Sequence, residues 1–310
     1  MIANFFNKTK LVTVFSIVVA LFIYYFTATF LLHSGELSLQ FLVKRVGFFF
    51  WLVLFLLIVS FIIKKNKLTK DNSYALILMV FLLGIFPEAM FSYPIVFANI
   101  ALMLGFRKIY SLRSGLDTKL KLFDACFWIG IATLIYSWSI LYFLLVYVSM
   151  IIHQKLTVKN LFIPIVGFVI PMLIYFTYCL YFENVTFYYA RFNYEMNLDF
   201  SSYTSLLKLL IPVLFLMVVL LWSLIKVTPK VVSVRNNFKF SWDVLINHLL
   251  ISVVIALLAP TKNGSELFFI IFPSGVIISN LMQLTKSKIF KNLILYAFLL
   301  ISIGVYLDSL

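Results

Sequence analysis

Apolar residues fill this chain in long runs, separated by short polar or basic connections. Leu11 to Leu32 is the first run. At about 1.5 Å per residue, a helix of that length crosses the ~30 Å hydrocarbon core of a bilayer. Val46 to Ile63, Leu161 to Phe182, Leu206 to Ile225, Ser241 to Leu258, Leu267 to Leu284 and Leu293 to Leu307 have the same character. Pro164 and Pro171 fall inside one of them, where neighbouring helices satisfy the freed carbonyls; Pro273-Ser274-Gly275 is expected to interrupt another. Leu39 to Arg45 mixes apolar and polar positions and is read as a lead-in to the second span.

Two runs are longer and broken. Tyr74 to Phe106 contains Phe86-Pro87-Glu88-Ala89-Met90-Phe91-Ser92-Tyr93-Pro94, and Leu122 to His153 contains Tyr136-Ser137-Trp138-Ser139. Cations flank each run on both sides: Lys64, Lys65, Lys67 and Lys70 stand before the first, and Arg107, Lys108 and Arg113 follow it. Loops rich in Lys and Arg stay in the cytoplasm, so each run should enter the membrane and return as two short helices of about 15 residues. Glu88 then stands at or just under the outer face. The pattern predicts an all-α, polytopic transmembrane helical bundle of about 11 spans with two short-helix hairpins, a single integral membrane domain over 1–310.

Charge placement agrees with this topology. With the amino terminus inside and the carboxyl terminus outside, all of the 25 Lys and Arg fall on the cytoplasmic side except Lys44, Arg45, Arg191, Lys208 and Lys262. Glu36, Glu88, Glu183, Glu195, Asp199, Glu266 and Asp308 fall outside. Met1 to Lys10 reads as a short interfacial segment, and with no small-residue cleavage site the first run is expected to be retained. The outer connection Glu183 to Ser205 interleaves aromatic and charged residues, as a segment at headgroup level does.

Composition narrows the classes. At 64% hydrophobic and 12% charged, with mean hydropathy +1.08, the chain has no polar stretch long enough to build a soluble domain. The net charge of +14 would suggest nucleic acid in a soluble protein. Here its spread over the connections makes it a topology signal with an attraction for anionic headgroups, and nucleic acid is not expected as a partner. Cys126 and Cys179 are expected to stay unpaired, and no metal-ligand spacing accompanies them. A phosphate-binding glycine loop, a zinc helix motif and a nucleophile elbow are all missing, so no cofactor is implied.

The candidate chemistry lies in single charges beside apolar spans. Glu36, Glu88 and Glu266 each occupy an outer loop, and Lys44, Arg45, Arg191 and Lys262 are available to a phosphate. A lipid-linked anionic substrate would need a carboxylate as general base and cations for a pyrophosphate leaving group. The plainer reading, and the favoured one, is that the acids solvate loop tips and the cations anchor to headgroups. Asp243, Asn247 and His248 are intramembrane polar residues, fit for proton relay or for hydrogen bonding between helices. Asp124 is expected to pair with Lys119 or Lys121.

The segment Lys121-Leu122-Phe123-Asp124-Ala125-Cys126-Phe127-Trp128-Ile129-Gly130-Ile131-Ala132, with Ser111-Leu112-Arg113-Ser114-Gly115 before it, resembles an uncharacterised membrane-protein family of Bacteroidota. The resemblance continues through Ile163-Pro164-Ile165-Val166-Gly167 and Gly264-Ser265-Glu266-Leu267 to Phe272-Pro273. It implies a bacterial inner-membrane location and a many-helix fold, with no established activity. The chain is also similar to integral-membrane glycosyltransferases of the GT-C type, which use polyprenyl-phosphate sugars. Their first outer loop carries an acidic motif, where this chain has Glu36 alone in His33-Ser34-Gly35-Glu36. Their late cation and proline-bearing helix correspond to Lys262 and Phe272-Pro273.

Three readings follow. The first is a non-catalytic inner-membrane subunit that supports cell-envelope assembly or binds a lipid-linked intermediate. The second is a GT-C-like glycosyltransferase acting on the outer face, and the third a secondary transporter. Membrane lipids, a polyprenyl-phosphate-linked substrate and other inner-membrane subunits are the partners these imply.

Overall fold

The computed structural model describes residues 2–32, 38–192, 194–205, 207–233 and 238–307, and Glu36 lies outside them. Among the described residues the only regular structure is helical. In chain order the helices are α1 (Ile2–Phe5), α2 (Leu11–Leu32), α3 (Leu39–Asn66), α4 (Tyr74–Ile85), α5 (Tyr93–Ser111), α6 (Thr118–Ile135) and α7 (Tyr142–Ile152). They continue as α8 (Val158–Tyr181), α9 (Val185–Ala190), α10 (Ser201–Ser205), α11 (Leu207–Ser233), α12 (Phe238–Leu258), α13 (Phe268–Leu284) and α14 (Lys288–Leu307).

Eight of these are long and apolar enough to cross a membrane: α2, α3, α5, α8, α11, α12, α13 and α14. Several turn large apolar side chains outward, such as Phe15 and Phe22 on α2, Leu173 and Ile174 on α8, and Val218 and Leu221 on α11. Such continuous apolar surface belongs in lipid, and the chain is a multi-pass helical membrane protein. α4 and α7 are apolar but shorter.

The two broken runs break at the expected residues, though with unequal arms. Pro87 disfavours helical geometry at Phe86 (φ −117°, ψ 72°), so α4 stops after 12 residues; a 3-10 turn over Pro87–Met90 follows, and α5 then runs for 19. Pro94 is tolerated in the first turn of α5, where its missing N–H has no partner to lose. In the second run α6 ends at Ile135 and a 3-10 turn over Ser137–Leu141 leads into α7.

Two expected boundaries are corrected. Leu39 to Arg45 is the first part of one 28-residue helix, because Ser38 caps it by accepting from the Phe41 N–H at 3.2 Å. Pro273 does not interrupt α13, which runs through it in an environment buried on every side from Phe268 to Met282. A neighbouring helix supplies the packing that keeps a proline-bearing helix whole.

Contacts group the chain into two compact units. The first takes residues 1–92, 199–234 and 262–310. Its centre is the pair α4 and α13, and a helix apolar all round is one enclosed by other helices. Every residue of α4 is buried, against α13, α14 and α2. A Cβ placed on Gly275 would meet Met79 Cγ at 2.6 Å, so the two helices touch almost backbone to side chain. One end of this unit is sealed by the amino-terminal segment, which packs inward through Ala3 and Phe6. The Ala3 N–H donates to Asn292 Oδ1 at 2.9 Å, the Tyr74 hydroxyl to the Ala3 carbonyl at 2.8 Å, and the Ser73 N–H to the Phe6 carbonyl at 3.0 Å.

The second unit takes residues 93–198 and 235–261. Here α6 lies between α5 and α8, and a Cβ on Gly167 would stand 2.5 Å from the Phe123 carbonyl oxygen. Asp124 forms its salt bridge with Lys108 of α5 at 2.5 Å, a partner outside the expected pair Lys119 and Lys121. Lys121 donates to the Ser111 carbonyl and to Ser114 Oγ. Packing of α5 on α6 brings in the more distant lysine, which sequence spacing alone would not select. Cys126 and Cys179 are free and buried.

Candidate anion-binding site

Beside the end of α4 remote from Tyr74, two 3-10 turns of the first unit pack together: Pro87–Met90, which follows α4, and Ser265–Leu267, which precedes α13. Each carries one of the sequence-predicted acids. The turn into α13 is made possible by Gly264, whose φ of +95° is a conformation that side-chain-bearing residues rarely adopt. Asn263 braces it by accepting from the Ser265 N–H at 3.2 Å and the Ser265 hydroxyl at 2.7 Å.

Glu266 is fully buried there, and both its oxygens are engaged. Tyr203 of α10 donates its hydroxyl to Oε1 at 2.5 Å, and the Gly264 N–H donates to Oε2 at 3.0 Å. Burial and the adjacent carboxylate both push the Tyr203 phenol up, so it stays a donor. Lys262 is only 5% exposed, with Nζ 5.1 Å from the Phe200 ring centroid. Burial draws its pKa down, and the charge of Glu266 partly restores it. Glu266 thus fastens α10 to the turn, which is a structural task.

Glu88 is different. It is half-buried, burial holds its carboxyl above the ordinary 4.5, and the nearby Lys208 ammonium works against that rise. Phe91 closes the same turn and stacks on Tyr25 with ring centroids 5.4 Å apart. Arg45 reaches this position from α3. Its Cζ lies 4.8 Å from the Phe91 centroid and 5.0 Å from that of Phe41, and its own carbonyl accepts from the Tyr25 hydroxyl at 3.1 Å. Arg45 Nη1 is buried and makes no hydrogen bond to any of the described residues. A buried guanidinium nitrogen with an unused donor costs free energy that an incoming anionic oxygen would recover.

Glu88, Glu266, Arg45 and Lys262 therefore all belong to the first unit, along with Lys44, which is exposed on α3. Glu36 lies outside the described residues. Arg191 belongs to the second unit, is exposed, and reaches the Tyr175 hydroxyl at 3.5 Å. Asp243, Asn247 and His248 are there too. Asn247 donates to the Asp243 carbonyl at 2.8 Å, within its own helix. His248 is buried beside Phe106 and Tyr142, and its Nδ1 lies 3.0 Å from the Tyr110 hydroxyl, a link between α12 and α5. Sequence reasoning missed Tyr203, which read as one more interfacial aromatic of the outer connection, gave Phe91 no role beyond its place in the break, and gave Lys208 none beyond its side of the membrane.

The raised pKa of Glu88 fixes a sign. A native state that keeps this proton longer than the unfolded chain loses stability as pH climbs from 4.5 through the raised native value. Glu88→Gln should remove that loss. Its unfolding midpoint in detergent should exceed that of the parent protein at neutral pH and converge with it below pH 4.5. Parallel profiles at all pH values would show that Glu88 is not held as a buried acid.

No curated protein matches the chain, and no solved structure does. The model of a family of unknown function, DUF6427, matches residues 5–308, and the chain belongs to that family.

Proposed function

We propose that this protein resides in a bacterial inner membrane and crosses it eleven times, with its amino terminus in the cytoplasm and its carboxyl terminus outside. Its task is that of a non-catalytic subunit in envelope assembly, which holds the phosphate of a lipid-linked intermediate at the outer end of its first unit. The eleven passes are the eight candidate spans plus α6 and the two shorter helices α4 and α7. Charge supports counting α4: unless it crosses, Lys64 to Lys70 and Arg107 to Arg113 would face opposite sides. The resemblance to a Bacteroidota family supports the address.

The observation that carries the binding role is Arg45, whose guanidinium lies over the Phe41 and Phe91 rings with a buried donor that finds no acceptor among the described residues. Lys208 adds positive charge beside the turn that ends at Phe91. Glu266, with both oxygens occupied, argues against that residue as a general base. One observation favours the GT-C-like reading: Glu88 is a half-buried acid with a raised pKa, of the kind that proton transfer uses.

Binding of a polyprenyl phosphate to the full chain in nanodiscs separates these readings. A charge-assisted hydrogen bond is worth about 1.5–3 kcal/mol, so Arg45→Gln should weaken binding roughly 10- to 100-fold. Unchanged affinity would remove the phosphate role. Loss of glycosyl transfer in Glu88→Gln with binding intact would establish the enzyme instead. For orientation, a cysteine at exposed Asn263 should react with a membrane-impermeant maleimide on spheroplasts, and one at exposed Ser114 should not. The reverse pattern would invert the topology.

A further inference from the structure

Beside the carboxyl-terminal ends of α11 and α13 and the start of α14, these three helices border an open groove of about 530 Å³. Trp222, Lys226 and Lys230 follow one another at spacing four, which lines them along a single face of α11. Lys286 faces the groove from the link between α13 and α14. Among the described residues no carboxylate lines it. Three ammonium groups around one hollow without a counter-charge repel each other, and an anion seated among them would relieve that repulsion.

Two details give the anion a shape. Ser287 accepts from the Phe290 N–H at 3.3 Å, so the first turn of α14 borders the groove and adds the positive end of a helix dipole. Trp222 forms an apolar wall beneath the charges, and the Lys226 ammonium lies 5.1 Å from its ring. Trp222 is itself exposed, and its exposed neighbours Leu221 and Ile225 extend the apolar surface along α11. Charge above and exposed hydrocarbon-compatible surface below is the arrangement a phospholipid fits, with its phosphate among the lysines and an acyl chain against α11.

We propose that this groove is a binding site for a phosphate-bearing anion, and that the anion is the headgroup of an anionic phospholipid from the surrounding leaflet. The assignment uses none of the Arg45 site, and it holds whichever leaflet this end faces. A free phosphate compound shares the headgroup chemistry but has no use for the apolar wall.

The test uses the full chain in bicelles, titrated separately with phosphatidylglycerol and phosphatidylcholine. Inorganic phosphate and glycerol phosphate serve as soluble competitors. The parent protein should prefer phosphatidylglycerol, and Lys226→Gln, Lys230→Gln and Lys286→Gln combined should weaken that binding at least about tenfold. All three lysines are exposed, so the triple variant should fold. Lys64→Gln with Lys65→Gln, exposed lysines outside the groove, should change binding less than about twofold. Equal losses in both variants, or none in the triple variant, would reduce the effect to diffuse surface charge and overturn the site. Displacement of the lipid by millimolar inorganic phosphate would overturn the lipid assignment. Arg45→Gln should leave this binding unchanged, which keeps it distinct from the function proposed above.

Discussion

At Gly275, α13 runs so close to α4 that one added methyl carbon would stand 2.6 Å from Met79 Cγ. Inside a membrane, lipid tails are as apolar as leucine, so helices associate through close packing and small residues more than through hydrophobic burial. The contact between α4 and α13 is of that kind. It encloses all of α4 and all of α13 from Phe268 to Met282. The far end of α4 continues into the turn Pro87–Met90, and the near end of α13 grows out of the turn Ser265–Leu267, so the same packing sets the two turns side by side. What Glu88, Phe91 and Glu266 can do follows from that placement.

The polar groups there divide into two kinds. Glu266, Tyr203, Gly264 and Asn263 form a satisfied set in which each partner is accounted for, and such a set gives rigidity. Arg45 and Glu88 are different: one has a buried donor that finds no acceptor among the described residues, and the other a half-buried carboxyl whose pKa burial raises against the pull of Lys208. A rigid frame carrying an incomplete charge arrangement is what a binding site needs. The lysine-lined groove beside α11, α13 and α14 repeats that logic with a different ligand geometry.

Much of this architecture was legible in the chain. Helix boundaries such as Leu11–Leu32, and the breaks at Pro87 and Tyr136, follow from hydrophobic run length and proline chemistry, which act locally. The failures have non-local causes or hinge on a single cap. Whether Pro273 breaks a helix depends on what surrounds it, and Asp124 found Lys108 because α5 lies against α6. Ser38 shifted the start of α3 by capping it, a signal present in the sequence but outweighed by the polar look of Lys44 and Arg45. Of the candidate site, the acids and cations were readable as types. Tyr203 was not, because nothing in its neighbours names a partner 63 residues away.

Hydrogen–deuterium exchange on Gly275→Leu is the most direct test of this account. If packing of α13 on α4 positions both turns, amides of α4, α13, Pro87 to Phe91 and Gly264 to Leu267 should lose protection together. Loss confined to α13, with Pro87 to Phe91 exchanging as before, would show that the turns are held by something else.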